Sequence, residues 1–209
     1  MAEISETNVN HHASSPDAAI DDEKKPALEL YVKASGLDST RIGACIFCQE
    51  FWIELYALHE INVVKLDVKV VNVNSETYKK RFLGEQAPIL VETKKGITYS
   101  DNSDIEKKIF HLANDCHIPL FEKDPKVAKL VDTLYRNFKI FLRAKIDHDK
   151  MGRPNTKVEG FPPPLKASYD KLIDQLSSID EILGERKTLY LLGNSMTEYD
   201  ASLMPRLHH

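Results

Sequence analysis

The sequence predicts an α/β domain followed by an all-α domain, and three observations carry that expectation. Two short segments with apolar residues at every second position flank one with apolar residues at every third and fourth. A Cys-x-x-Cys falls where the first of these segments gives way to the second. Beyond residue 117 the alternating pattern stops, and two long stretches of helical periodicity take over.

The first alternating segment places Leu28, Leu30, Val32 and Ala34 between Glu29, Tyr31 and Lys33, which predicts a strand with one apolar face. A Gly/Asp/Ser/Thr loop runs from Ser35 to Gly43. Phe47, Phe51, Leu55 and Leu58 then mark one face of a helix. Val64, Leu66, Val68 and Val70 alternate with Lys65, Asp67 and Lys69, predicting a second strand. Strand, helix and strand in this order form a βαβ unit, whose right-handed crossover makes the strands parallel. Asn74 or Ser75 is placed to cap a short helix to Leu83, with Gly84 as its stop. Pro88–Thr93 and Ile97–Ser100 read as a hairpin around Lys94-Lys95-Gly96, and Asn102 or Ser103 is placed to cap a helix to about Cys116. The order βαβ, α, ββ, α is that of a thioredoxin fold.

In the second half, Val127, Leu130, Val131, Leu134, Phe138, Phe141 and Leu142 trace one amphipathic helix. After a Pro-rich loop from Met151 to Pro164, a second runs through Leu165, Tyr169, Leu172, Ile173, Leu176, Ile179 and Ile182. Connected neighbours of this kind pack antiparallel. The expected organisation is a polar, disordered tail over 1–26, a thioredoxin-like domain over 27–116, a linker over 117–125 and a helical domain over 126–209.

Composition removes several classes of function. The 209 residues are 42% hydrophobic and 29% charged, with a formal net charge of -4 and no long basic block, so nucleic acid is not an expected partner. The N-terminal residues lack the cationic start and apolar core of a signal peptide, and three cysteines do not make a secreted disulfide framework. A reducing cytoplasmic compartment is therefore expected. The most apolar window, Cys45 to Val63, carries Glu50, Glu54 and Glu60; each would cost roughly 2.5–3.5 kcal/mol at a bilayer centre.

Cys45 falls at the predicted N-terminus of the first helix, where unpaired N–H groups and the helix dipole favour a thiolate. Cys45 is then the candidate nucleophile, with Cys48 one turn on as a resolving thiol; the alternative is that both simply pack beneath the sheet. No second ligand pair stands at zinc spacing, so no metal is expected. Pro88 must begin a strand or lie on an edge; a cis bond here is expected only from the fold. Ser100-Asp101-Asn102-Ser103-Asp104-Ile105 supplies hydroxyl, amide and carboxylate groups at a strand-to-helix turn. These suit either an N-cap or the zwitterionic end of glutathione. Thr197-Glu198-Tyr199-Asp200 has the form of a capping box. Trp52 reads as core, and Lys79-Lys80-Arg81 as a solvated helix face.

Tyr31-Val32-Lys33-Ala34 followed by Ile42-Gly43-Ala44-Cys45-Ile46-Phe47-Cys48-Gln49 is similar to the first strand and glutaredoxin-like motif of the chloride intracellular channels. Gly84-Glu85-Gln86-Ala87-Pro88-Ile89-Leu90 resembles their cis-proline segment. Leu192 to Asp200, continuing through Leu203-Met204-Pro205-Arg206-Leu207-His208, resembles their second-domain capping motif. The resemblance is strongest to invertebrate members of the family. It implies a glutathione-transferase-like two-domain architecture, α/β thioredoxin-like and then all-α. It also implies a cytoplasmic protein that associates with intracellular membranes and conducts anions such as chloride; the alternatives are a glutathione-dependent thiol oxidoreductase using Cys45 or a non-enzymatic glutathione-transferase-like scaffold. In family terms Cys45 is the glutathione-linked thiol, with Phe47, Ala87, Pro88, Asp101 and Asn102 around the cofactor. Ile46 and Cys48 depart from the proline and serine of vertebrate members, and the acidic loop those members carry is absent from Glu185–Tyr190. The family also continues for several helices past the position of His209, which leads us to expect an exposed surface around Leu203–Leu207.

Overall fold

The computed structural model describes residues 25–152 and 156–208; the expected tail lies almost wholly outside these, as does part of the Pro-rich loop. Four strands, β1 (Ala27–Lys33), β2 (Lys65–Val71), β3 (Ile89–Glu92) and β4 (Ile97–Tyr99), form one sheet in the order β2-β1-β3-β4. β1 runs parallel to β2 and antiparallel to β3, with Leu30 opposite both Val68 and Leu90. Helix α1 (Ile46–Glu60) makes the parallel crossover, α2 (Glu76–Phe82) joins β2 to β3, and α3 (Asn102–Asp115) follows β4.

β1 has two covered faces rather than the single apolar face expected. Leu28, Leu30 and Val32 pack with Phe51, Leu55 and Leu58 of α1 and with Ile105 and Ile109 of α3. On the opposite face Tyr31 is also buried, against Tyr78 and Phe82 of α2. The Tyr31 and Phe82 rings meet edge to face at 4.7 Å. Tyr31 reaches a polar neighbour as well, since its hydroxyl donates to Glu29 at 2.6 Å. A tyrosine on the polar side of a strand can thus close a second core while keeping its oxygen paired.

The helical half consists of α4 (Pro125–Lys150), α5 (Pro163–Arg186) and α6 (Glu198–His208). α4 runs eight residues beyond its last periodic apolar residue, Leu142. Its final turns contain helix-favouring residues and a Lys145–Asp149 ion pair at 2.6 Å, and Gly152 ends it at φ +83. α4 and α5 are antiparallel, since Asn137 meets Gln175 while Phe141, further along α4, meets Tyr169, nearer the start of α5. A buried polar clamp crosses their interface: Asn137 donates to Gln175 at 2.6 Å, and Gln175 donates to the Leu130 carbonyl and to Thr133.

α6 packs against both α1 and α4, so the helical half is fixed to the same helix that carries the Cys-x-x-Cys. Its start is held by Asp200, which accepts from Thr197 N–H and Thr197 Oγ1 at 2.9 Å each, while its other oxygen accepts from Leu191 N–H at 2.9 Å. The capping box is present in modified form. The acid reaches back to the capping residue's N–H as expected, but the threonine hydroxyl donates to that acid instead of accepting from the helix.

Candidate functional site

Two loop features bring Cys45 to the helix N-terminus. Gly43 N–H donates to the Lys33 carbonyl at 2.7 Å, pulling the loop against the end of β1. A Cβ at Gly43 would stand 2.7 Å from the Ala34 carbonyl oxygen and 3.1 Å from that of Lys33, so only glycine permits this approach. Gln49 then donates from Nε2 to the Gly43 carbonyl at 3.0 Å, tying the helix's first turn back to the loop.

Cys45 is the N-cap of α1, in extended backbone conformation at φ -78 and ψ 113. It is half-buried, whereas Cys48 is fully buried, and both are free thiols. Lys33 N–H donates to Cys48 Sγ at 3.4 Å, so Cys48 is fixed between strand and helix. The Cys48 S–H is the main influence on Cys45: by donating to its sulfur it favours the thiolate and, with further help from the first-turn N–H groups and the Lys33 charge, lowers the thiol to about 6 against the opposing effect of burial. Cys48 moves the opposite way, pushed up by donating to Cys45 and by its own burial. The two sulfurs therefore divide their roles, one ionised acceptor and one protonated donor.

The Ala87–Pro88 peptide bond is cis, as the fold context led us to expect. Ala87 packs against the same core as Cys45. It lies beyond the last β1–β3 pair, Tyr31 with Ile89, so its backbone groups take no part in that ladder. Asp101, rather than Asn102 or Ser103, caps α3, accepting from Ser103 N–H at 2.8 Å; the cap sits one residue earlier than expected because aspartate satisfies the second N–H of the turn. Phe47 and Asn102 line a cavity of about 380 Å³ between the α/β and helical halves. The seven expected site residues thus fall into two groups, Cys45, Cys48, Ala87 and Pro88 at the sheet end, and Phe47 and Asn102 facing the cavity, with Asp101 at the α3 cap.

Sequence reasoning did not identify Lys33, whose charge and backbone both act on the cysteine pair, nor Glu54, which is only 2% exposed. A signal for Glu54 was available: it stands three residues after Phe51 and four before Leu58, on the apolar stripe itself. Trp52, expected in the core, is only partly buried and borders an outer groove with Tyr56 and Ile61.

A family model described as the CLIC-like N-terminal domain matches residues 26–112. The chain is 60% identical over 189 residues to the Caenorhabditis elegans protein named chloride intracellular channel exc-4, covering 90% of this chain and 65% of that one. The crystal structure of that CLIC homologue, EXC-4, superimposes with a TM-score of 0.85 at 58% identity, over 92% of this chain and 68% of the other. The Drosophila melanogaster chloride intracellular channel Clic is 32% identical over 190 residues, covering 88% of this chain and 63% of that one. The chain thus spans just under two thirds of the length of these two curated relatives. A glutathione S-transferase from the Antarctic clam Laternula elliptica shares the fold at 16% identity, with a TM-score of 0.53 over 87% of this chain and 77% of that one.

Proposed function

The chain belongs to the chloride intracellular channel family, and from that membership we propose that its folded form is a glutathione-dependent thiol oxidoreductase with Cys45 as the reacting thiol. One observation carries the reading: Cys45 is a half-buried thiol at a helix N-terminus, lowered to about 6 by the protonated, buried Cys48 beside it. About nine-tenths of such a thiol is ionised at pH 7, against a few per cent of an ordinary cysteine.

The thiolate attacks one sulfur of a glutathione-containing disulfide. A Cys45–glutathione bond forms as the other sulfur leaves as a thiolate. A second glutathione thiolate then attacks the mixed disulfide, releasing glutathione disulfide and restoring Cys45. Cys48, buried and held protonated, acts as hydrogen-bond donor to Cys45 and not as a resolving thiol. The Ala87 backbone and the Asp101–Asn102 turn are the proposed contacts for the peptide and γ-glutamyl parts of glutathione. The test is glutathione-coupled reduction of a small mixed disulfide. Activity in the native chain that falls to background in Cys45→Ser is expected; undiminished activity in that variant overturns the assignment.

A second reading rests on the relatives' names, both of which are chloride intracellular channels. In it the chain is cytoplasmic, associates with intracellular membranes and conducts anions. Among the described residues no helix is long and apolar enough to cross a membrane, so conduction would call on an arrangement other than these helices. Chloride efflux from liposomes carrying the chain, above a heat-denatured control, is expected; no efflux from acid to neutral pH, oxidised or reduced, removes this reading.

A further inference from the structure

The cavity between the two halves has a chemistry of its own, and neither cysteine lines it. α1 contributes Glu50 and Glu54, α3 contributes Glu106, α4 contributes Asp132 and α6 contributes Glu198. Against these five carboxyl groups stand two cations, both committed. Arg206 pairs with Glu50 at 3.1 Å and donates to the Ser202 carbonyl, and Lys123 pairs with Glu198. Among the described residues no ion pair reaches Glu54, Glu106 or Asp132.

Glu54 is the anomaly. Its Oε2 is fully buried and has no hydrogen-bond partner, a condition that native structures rarely leave uncompensated. Burial pushes its carboxyl well above the usual range, and Glu50, Glu198 and Glu106 push it the same way. A cation arriving from the cavity would give the orphaned oxygen a partner and offset the negative charge of Glu50, Glu198 and Glu106, with Glu54 giving up its proton as it binds.

We propose that this cavity binds a small organic cation bearing a primary ammonium or guanidinium group, with Glu54 as buried anchor and Glu106 and Asp132 as rim carboxylates. The volume, about 380 Å³, corresponds to about a dozen waters and accommodates a short alkyl diamine. Phe47 and Phe51, with ring centroids 6.4 Å apart, give an apolar wall for a methylene chain. An organic cation suits the site better than a metal ion, because among the described residues no three carboxylates converge as metal ligands. An anion is disfavoured by the excess of carboxylates. This inference is independent of glutathione chemistry at Cys45.

Calorimetric titration of the chain with putrescine and with agmatine tests it. Saturable one-to-one binding is expected, tightening as pH rises because Glu54 must release its proton to hold the cation. Glu54→Gln should weaken binding at least tenfold and flatten that pH dependence, and Glu106→Gln, on an exposed position, should weaken it several-fold. Tetramethylammonium, which has no N–H to donate, should not saturate. The proposal is overturned if neither amine binds up to about 10 mM, where even a millimolar site would be mostly filled. It is equally overturned if binding is indifferent to Glu106→Gln and, in folded protein, to Glu54→Gln.

Discussion

Replacing Cys48 with alanine is expected to raise the midpoint of the Cys45 pH–reactivity profile from about 6 most of the way towards the ordinary thiol range near 8.5. The cause is local. The leading influence that lowers Cys45 is the S–H donated by Cys48, and alanine removes it while leaving the helix N-terminus in place. Cys48→Ser retains a donor at the same position and should retain most of the depression. The readout is the pH dependence of alkylation, or thiolate absorbance, followed on the Cys45 signal. Rate at a single pH is the weaker observable, because a thiolate of lower pKa is also intrinsically less nucleophilic. A midpoint unchanged in Cys48→Ala would assign the depression to the helix terminus and Lys33 instead.

The largest expected effect on stability belongs to Asp200. Its two oxygens accept three hydrogen bonds, from Leu191 N–H, Thr197 N–H and the Thr197 hydroxyl, in a buried setting. Asp200→Ala orphans all three donors. At about 1–3 kcal/mol for each buried unsatisfied group, and allowing for non-additivity, the loss is roughly 3–5 kcal/mol. That is a large fraction of the 5–15 kcal/mol typical of a folded domain, on the order of which this chain must rely. Urea unfolding should show the midpoint falling steeply, whereas Asp180→Ala, on an exposed face of α5, should stay within about 0.5 kcal/mol of the native chain. Because α6 carries Tyr199, Ser202 and Arg206 onto α1, loosening its cap also loosens the cavity wall.

Much of this molecule was legible in the sequence because its elements follow simple periods. The alternation in β1 and β2, the 3–4 spacing in α1 and the Gly43-to-Cys48 junction gave the βαβ unit and placed the thiol correctly. Two kinds of feature escaped. One is burial on a second face, as at Tyr31, where an amphipathic side chain reads equally well as exposed or covered. The other is the buried polar group on an apolar helix face, as at Glu54, Asn137 and Gln175. In sequence such residues look like the solvated side of a helix or a penalty against membrane insertion. Only the packing of α6 on α1 and of α5 on α4 shows them enclosed. The cap of α3 was misplaced by one residue because Asp101, Asn102 and Ser103 are all competent caps, and backbone geometry chooses among them.

The central claim is that Cys45 is a working monothiol site supported by a protonated Cys48. Intact mass after incubation with oxidised glutathione tests it most directly. The account predicts an adduct of one glutathione, reversed by reductant and absent from Cys45→Ser. An adduct that persists in that variant, an internal Cys45–Cys48 disulfide in place of the adduct, or no change in mass would contradict it.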